Sequence, residues 1–316
     1  MFASNLIFSL NATLPVFLMM VFGFFCRRIG LLDDHTTSTL NKFVFRTTLP
    51  ALLFADLSQA DFKAVWDGKF VLFCAAVTIL SIGAAVLYSL LHKDKAERGE
   101  IVQAAYRSSA AVLGIAFVNN IYGKATMAAL MIVGTVPLYN IAAVTVLSLT
   151  SPEKKSGGRS LLLTTLKGII TNPIIIGIIL GMAWSVIGIP QPVILSKSVS
   201  YLAGMATPLS LIALGASFKT GDVRENLPVT LGIAFIKLVL FCGIFLPAAV
   251  RLGFRGEKLV AILVMLGSAT TGSCFVMAKN LGHKGSITAL AVMLTTLLSA
   301  FTLTGWLFIL KTLEHI

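Results

Sequence analysis

The sequence predicts an all-α integral membrane protein whose ten transmembrane helices form two inverted sets of five. Hydrophobic residues make up 57% of its 316 residues, and the mean hydropathy is +0.92. A soluble domain of this size could not bury so much apolar surface. Ten apolar segments are long enough to cross the hydrocarbon layer. Helix-breaking residues also recur at a constant distance of half the chain.

The ten apolar segments divide equally between the two halves of the chain. The most linker-like stretch, SPEKKSGGRS at 151–160, lies between the halves. We therefore assign 1–150 to the first five-helix repeat, 151–160 to a cytoplasmic linker and 161–316 to the second repeat. The segments cover approximately 6–26, 38–58, 69–91, 101–121, 125–149, 165–188, 193–217, 227–250, 258–281 and 285–311.

The repeat is visible in prolines and glycines that keep their spacing without an insertion. A unit with an odd number of spans, used twice in one chain, must lie in the membrane in two opposite orientations. This arrangement is typical of many secondary transporters. The equivalent pairs are Pro15 and Pro173, Gly23 and Gly181, Gly30 and Gly188, and Pro50 and Pro208.

Basic residues in the connections predict the orientation. The odd-numbered loops hold twelve Lys and Arg residues, against eight in the even-numbered loops and the two termini. Because positive loops stay in the cytoplasm, we expect a multi-pass protein of the inner (plasma) membrane with both termini outside. The net charge of +12 is dispersed over short loops, which favours membrane lipids as partners and not nucleic acid.

The fourth and ninth segments are rich in small and polar residues at matching places in the two halves. Such residues allow close helix packing, or unwound stretches whose amides bind ions or an anionic substrate. The matching positions favour the second interpretation. The residues are Ser108, Ser109, Gly114, Asn119 and Asn120 in the fourth segment and Gly267, Ser268, Thr270, Thr271, Gly272 and Ser273 in the ninth.

Arg46, Asp56, Arg107 and Lys237 are charged residues within the predicted spans, where a charge is costly. Lys237 is close to the middle of its span and is a candidate site residue. Arg46 and Arg107 either face the site or extend back to the headgroups. Asp56 lies at the end of its span, so we expect a solvated residue or an ion-pair partner more than a proton carrier. Asn140 can contact a substrate or connect helices.

The sequence does not support an enzyme. The four histidines lie outside the predicted spans, no cluster suited to a metal is visible, and no phosphate-binding GxxxxGK[ST] loop is present. The four cysteines lie in or beside apolar segments without CxxC spacing, which is typical of small hydrophobic residues. We therefore expect no catalytic residue, no metal and no cofactor, with H⁺ or Na⁺ left open as the coupling ion.

Several motifs resemble the auxin efflux carrier family, which includes the plant PIN proteins and bacterial carriers of malonate and related acids. The motifs are LNKFVFRTTLPALLF (Leu40–Phe54), YRSSAAVLGIAFVNNIYG (Tyr106–Gly123), VPLYNIAAVTVL (Val136–Leu147), TNPIIIGIILG (Thr171–Gly181), TPLSLIALGASF (Thr207–Phe218) and FVMAKNLG (Phe275–Gly282). The resemblance implies that the fourth and ninth helices are broken and cross near the substrate site, around Ala111–Gly114 and Thr270–Gly272. It also implies carriage of organic anions by an elevator-like alternation.

We therefore predict a secondary active transporter for a small carboxylate-bearing organic anion, similar to malonate or auxin. The alternatives are a sodium-coupled symporter of the same fold and a membrane sensor or channel that does not cycle. A homodimer is left open. The predicted substrate-binding residues are Arg107, Ser108, Ser109, Gly114, Asn140, Lys237, Thr270, Thr271, Gly272 and Ser273, with Arg46, Asn119 and Asn120 as secondary candidates.

Overall fold

The described part of the chain is helical throughout, which confirms the predicted all-α class. A computed structural model describes residues 15, 18–58, 67–110, 115–123, 126–152, 171–217 and 220–316, and no strand occurs among them. Five helices in these ranges are long and apolar enough to cross a membrane, so the protein is a multi-pass membrane protein. They are Gly68–Leu90, Thr126–Thr150, Val193–Ser217, Glu225–Arg251 and Ser286–Thr312.

Two pairs of consecutive helices are joined by a π-helical turn. The π-helical turns Val44–Thr48 and Ile236–Leu240 join α2 to α3 and α10 to α11. In chain order the helices are α1 (18–28), α2 (Asp34–Phe43), α3 (Leu49–Ser58), α4 (Gly68–Leu90), α5 (Arg98–Tyr106), α6 (Ile115–Tyr122), α7 (Thr126–Thr150), α8 (Pro173–Ile187), α9 (Val193–Ser217), α10 (Thr220–Phe235), α11 (Phe241–Arg251), α12 (Gly256–Gly267), α13 (Ser273–Asn280) and α14 (Ser286–Thr312).

Three of the repeated prolines and glycines mark helix ends. Pro173 is the first residue of α8, where its missing N–H costs no hydrogen bond, and the Asn172 side chain accepts from the Ile174 amide. Gly188 ends α8 with φ of 73°. Its equivalent Gly30 follows α1 with φ of 79°. Because this left-handed conformation favours glycine, the same residue type ends an equivalent helix in each half.

Two glycines bring pairs of helices into backbone contact. A Cβ atom at Gly23 on α1 would lie 2.2 Å from the carbonyl oxygen of Ile212 on α9. At Gly181 on α8, a Cβ atom would lie 3.0 Å from the Cα and carbonyl oxygen of Phe54 on α3. Only glycine allows such an approach. Shifting Gly23 forward and Ile212 back by half the chain gives Gly181 and Phe54, so the two contacts are equivalent.

Contacts between the connections divide the loops into two sets. In the first set, His283 joins the connections before α5 and before α14 to the last turn of α7: its ring nitrogens lie 3.0 Å from the Ala96 carbonyl and 2.9 Å from the Leu147 carbonyl. The other set joins the connection before α4 to that before α12, where Lys258 and the Phe70 amide hold the pKa of Asp67 below its usual range. These are the odd-numbered and even-numbered loops of the predicted topology.

Two short helices are enclosed by the rest of the protein. Every residue from Gly99 to Tyr106 in α5 is buried, and so is every residue from Leu259 to Gly267 in α12. A helix buried on all sides lies in the interior of a bundle. The ends of α5 and α12 therefore fall inside the protein, where their unpaired backbone groups need partners.

Candidate functional site

Two non-helical turns meet where α5 and α12 end. The Ser109 amide donates to the Ala269 carbonyl oxygen at 2.9 Å, which connects the turn after α5 to the turn after α12. The Thr270 hydroxyl donates to the Ala104 carbonyl at 2.9 Å, and the Thr270 amide donates to Thr295 Oγ1 at 2.9 Å. Each bond satisfies a backbone group that a continuous helix would have satisfied itself. The turns therefore hold each other in place.

Lys237 is fully buried beside these turns. Its ammonium group donates to the carbonyl oxygen of Arg107 at 2.9 Å and to Ser108 Oγ at 2.7 Å. Lys237 lies in the π-helical turn Ile236–Leu240, and such turns re-aim side chains and are frequent at functional sites. The lysine thus holds the carbonyl end of α5 and places a positive charge at the turn.

Arg107 is the second buried cation, with 4% of its surface exposed. Its guanidinium donates to Asn140 Oδ1 at 2.6 Å and to Met277 Sδ at 2.6 Å. The Asn140 amide nitrogen donates to the Val136 carbonyl at 2.8 Å, which aims Oδ1 at the arginine. These contacts orient the guanidinium without neutralising its charge.

Neither buried cation has an acidic partner among the described residues. The ion pairs found in this part of the chain all lie in the connections or at helix ends: Arg27 with Asp34, His92 with Glu97, Lys258 with Asp67, and Lys284 with Glu97. A buried charge is costly unless it is paired. Two uncompensated positive charges at the same turn therefore attract an anion.

A partly open cavity lies against the arginine and the turns. Its walls come from α3, α7, α8, α9, the two turns and the beginning of α13. Leu49, Leu52, Leu53 and Asp56 form one face of α3 because they follow helical spacing. The other lining residues are Arg107, Ser108, Ser109, Ala110, Val136, Tyr139, Asn140, Ile174, Thr207, Ser210, Thr271, Gly272 and Ser273.

The amino end of α13 also faces this cavity. Thr271, Gly272 and Ser273 line it just where the helix begins, and the hydroxyls of Thr271 and Ser273 lie 3.3 Å apart. The amino end of a helix carries a partial positive charge. The amides of Cys274 and Phe275 donate to the carbonyls of Thr271 and Gly272, so α13 contributes this charge and the two hydroxyls to the site.

The structure brings most of the predicted substrate-binding residues together. Lys237 and Thr270 lie behind the cavity wall and support it, whereas Arg46 is exposed and is not among the lining residues. Gly114 and the side chains of Asn119 and Asn120 lie outside the described residues. The predicted residues that line the cavity are Arg107, Ser108, Ser109, Asn140, Thr271, Gly272 and Ser273. Since Arg107 is buried and bonded to Asn140, it does not extend back to the headgroups.

Sequence reasoning missed part of the cavity and misplaced one acid. Tyr139, Thr207 and Ser210 line the cavity but were not predicted, although Tyr139 adjoins Asn140 and Thr207 begins one of the motifs.

Asp56 was expected to be solvated or ion-paired, and that expectation is wrong for the described residues. It is half-buried in the cavity wall, and its Oδ2 atom has no hydrogen-bond partner there. Its helical spacing from Leu49 was the available signal.

Comparisons with known proteins identify the family of the chain. Residues 8–307 match the family described as "Membrane transport protein". A "Putative malonate transporter" of Rhizobium meliloti is 25% identical over 313 residues, covering 94% of each chain. An "Uncharacterized transporter" of Methanothermobacter thermautotrophicus is 21% identical over 302 residues, 94% of this chain and 97% of the relative. The "Uncharacterized transporter YfdV" of Escherichia coli is 23% identical over 251 residues, 74% of this chain and 76% of the relative. The family match confirms the resemblance seen in the motifs: the chain belongs to the membrane transport protein family, that of the auxin efflux carriers.

Proposed function

We propose that this protein is a secondary active transporter that moves a small carboxylate-bearing organic anion across the cytoplasmic membrane. The observation that carries the proposal is the pair of buried cations, Arg107 and Lys237, which lie beside the cavity without a carboxylate within 4 Å among the described residues. An anionic substrate supplies the missing negative charge. The malonate transporter named among the relatives supports a carboxylate as the anion.

The recognition of the anion follows from the donors in the cavity. Arg107 presents a planar guanidinium, which matches a carboxylate in geometry and charge. The hydroxyls of Ser109 and Ser273 add further donors around the same space. Lys237 acts through the turn, because its ammonium group is bonded to Arg107 and Ser108. We propose a small mono- or dicarboxylate as the substrate class.

We propose a ten-helix inverted repeat as the architecture, with α5 and α6 as the halves of the fourth span and α12 and α13 as the halves of the ninth. The equivalent contacts of Gly23 and Gly181 support the repeat. The separation of the loop contacts into odd and even sets supports the inversion and the predicted topology. The cytoplasmic location of the odd loops, the inner membrane and a homodimer remain predictions.

Alternating access by an elevator-type motion is the proposed mechanism. Close glycine contacts hold α1 to α9 and α3 to α8, and α3 also packs against α9, so these helices form one group. The two turns and α7 belong to a second group, held together by Tyr106, whose hydroxyl donates to the Tyr139 carbonyl at 2.8 Å. The cavity lies between the groups, so a sliding of one past the other would carry the anion across.

Counterflow in liposomes tests the function. Purified protein is reconstituted with unlabelled malonate inside, and uptake of labelled malonate, an aromatic monocarboxylate and a labelled organic cation is followed. We expect internal malonate to accelerate entry of a carboxylate and to leave entry of the cation unchanged, because exchange across one alternating site is a property of carriers. Absence of uptake of every carboxylate at any imposed gradient would contradict the proposal. Channel-rate currents in planar bilayers would favour the sensor or channel alternative.

A further inference from the structure

Asp56 is the one acid among the described residues that line the cavity, and the proposed recognition of an anion gives it no task. Asp56 lies one helical turn beyond Leu52 and Leu53 on the face of α3 that lines the cavity, and Arg107 and Tyr139 line the same space. A permanently ionised carboxylate at this place would repel the substrate and weaken the attraction of the two cations. Packing alone therefore does not explain the presence of an acid at this position.

Asp56 has no partner among the described residues that would keep it ionised. Its Oδ2 atom is buried without a hydrogen bond, and no basic nitrogen lies within 4 Å of its carboxylate among the described residues. Burial of an unpaired carboxylate disfavours the charged form. Asp56 is thus a side chain that can take up a proton inside the proposed transport site.

The groups that face Asp56 from the neighbouring helices do not change this conclusion. The adjoining helix α8 has no titratable side chain in its described length, Pro173–Ile187. Lys197 and Tyr201 on α9 are exposed, as is Arg46 in the π-helical turn before α3. Arg107 and Tyr139 lie across the cavity and form no ion pair with Asp56.

We propose that Asp56 is the proton-binding residue and that the protein carries one proton together with its organic anion. The inference rests on the proposed function. A proton taken from water at the cavity mouth binds one carboxylate oxygen of Asp56, which removes the repulsion and supplies one O–H donor to the substrate. After the site opens on the other side, the proton returns to water there. Proton binding and anion binding then strengthen each other to the same extent.

Proteoliposomes provide the test, with labelled malonate as the probe and a pH-sensitive dye inside the vesicles. Wild-type protein, Asp56→Asn and the control Asp34→Asn, an exposed acid outside the cavity, are compared with the membrane potential clamped at zero. At one proton per anion, a gradient of one pH unit supports at most about tenfold accumulation of malonate. We expect wild type and Asp34→Asn to approach that accumulation and to acidify the vesicle interior when the outside is acidic. Protein-free liposomes measure the leak of protonated malonate.

Asp56→Asn should lose accumulation and proton entry, because an amide cannot take up a proton. Its malonate counterflow, whatever the rate, should no longer depend on pH, and an unchanged midpoint of thermal unfolding in detergent shows that the variant is folded. Accumulation by Asp56→Asn at the wild-type level would overturn the inference, and so would wild-type accumulation that follows a sodium gradient and not the pH gradient. Counterflow without any proton-driven accumulation in the wild type refutes this inference alone. Absence of counterflow for every carboxylate refutes the proposed function, and the inference with it.

Discussion

The ammonium group of Lys237 lies 2.9 Å from the carbonyl oxygen of Arg107, so a direct hydrogen bond joins the lysine side chain to the backbone of the arginine. This contact connects residues 130 positions apart in the chain. It places the charge of the lysine at the carbonyl end of α5 and holds the turn from which the arginine extends. The positive potential of the cavity and the shape of the turn therefore depend on the same side chain.

Replacement of Lys237 by methionine should weaken malonate binding at least about tenfold, which corresponds to about 1.4 kcal/mol. The change keeps the length of the side chain and removes a charge and the donors to Arg107 and Ser108. It should also lower stability by about 1–3 kcal/mol, because a buried carbonyl loses its partner. Isothermal titration with malonate and thermal unfolding in detergent measure the two effects. The exposed Lys197→Met is the matched control, and equal affinity in both variants would argue against a role of Lys237 in the site.

Replacement of Asn140 by aspartate should weaken malonate binding by about tenfold or more while leaving the fold stable. The new carboxylate would lie where Asn140 Oδ1 now accepts from Arg107 at 2.6 Å, and it would neutralise the guanidinium. Asn140→Leu removes the hydrogen bond but leaves the positive charge, so we expect a smaller loss of affinity there. If Asn140→Asp bound malonate as tightly as the wild type, Arg107 would not be the anion-binding cation.

A disulfide across the cavity should arrest transport reversibly. A Cβ atom at Gly272 would lie 3.6 Å from the Cβ atom of Ser210, within the range of a disulfide. In a background without the four native cysteines, the variant Ser210→Cys/Gly272→Cys should lose malonate counterflow on oxidation and recover it on reduction. The reduced double variant is its own control. Unchanged counterflow after complete cross-linking would contradict the proposed sliding of the two helix groups.

Replacement of a contact glycine by alanine should lower stability more where the added Cβ atom would lie closer to the neighbouring helix. A Cβ atom at Gly23 meets Ile212 at 2.2 Å and one at Gly181 meets Phe54 at 3.0 Å, whereas Gly83 has open space around it. We expect a loss of about 1–3 kcal/mol for Gly23→Ala from overpacking, a smaller loss for Gly181→Ala and none for Gly83→Ala. The midpoint of thermal unfolding in detergent measures this. A destabilisation by Gly83→Ala equal to that of Gly23→Ala would show that packing at the contact is not the cause.

Much of the candidate site could be predicted because its residues follow local signals. Ser108, Ser109 and Thr271 to Ser273 were identified from the concentration of small and polar residues in apolar segments, and all of them line the cavity. Charges within a span are also visible in the sequence alone. The surroundings of these charges cannot be seen in the sequence, because their burial depends on helices that are distant in the chain. Arg46 and Arg107 had the same two interpretations, yet one is exposed and the other buried.

The sequence by itself determined that this is an all-helical membrane transporter of the auxin efflux carrier family, because hydropathy and motif order are properties of the chain alone. Only the tertiary structure decided which polar groups share one cavity. Lys237 meets Ser108 across 129 residues, and Asp56 faces the space that Arg107 lines. Whether a charge is solvated, paired or left unpaired depends on the atoms that fold around it, and that arrangement turns scattered residues into a site for an anion.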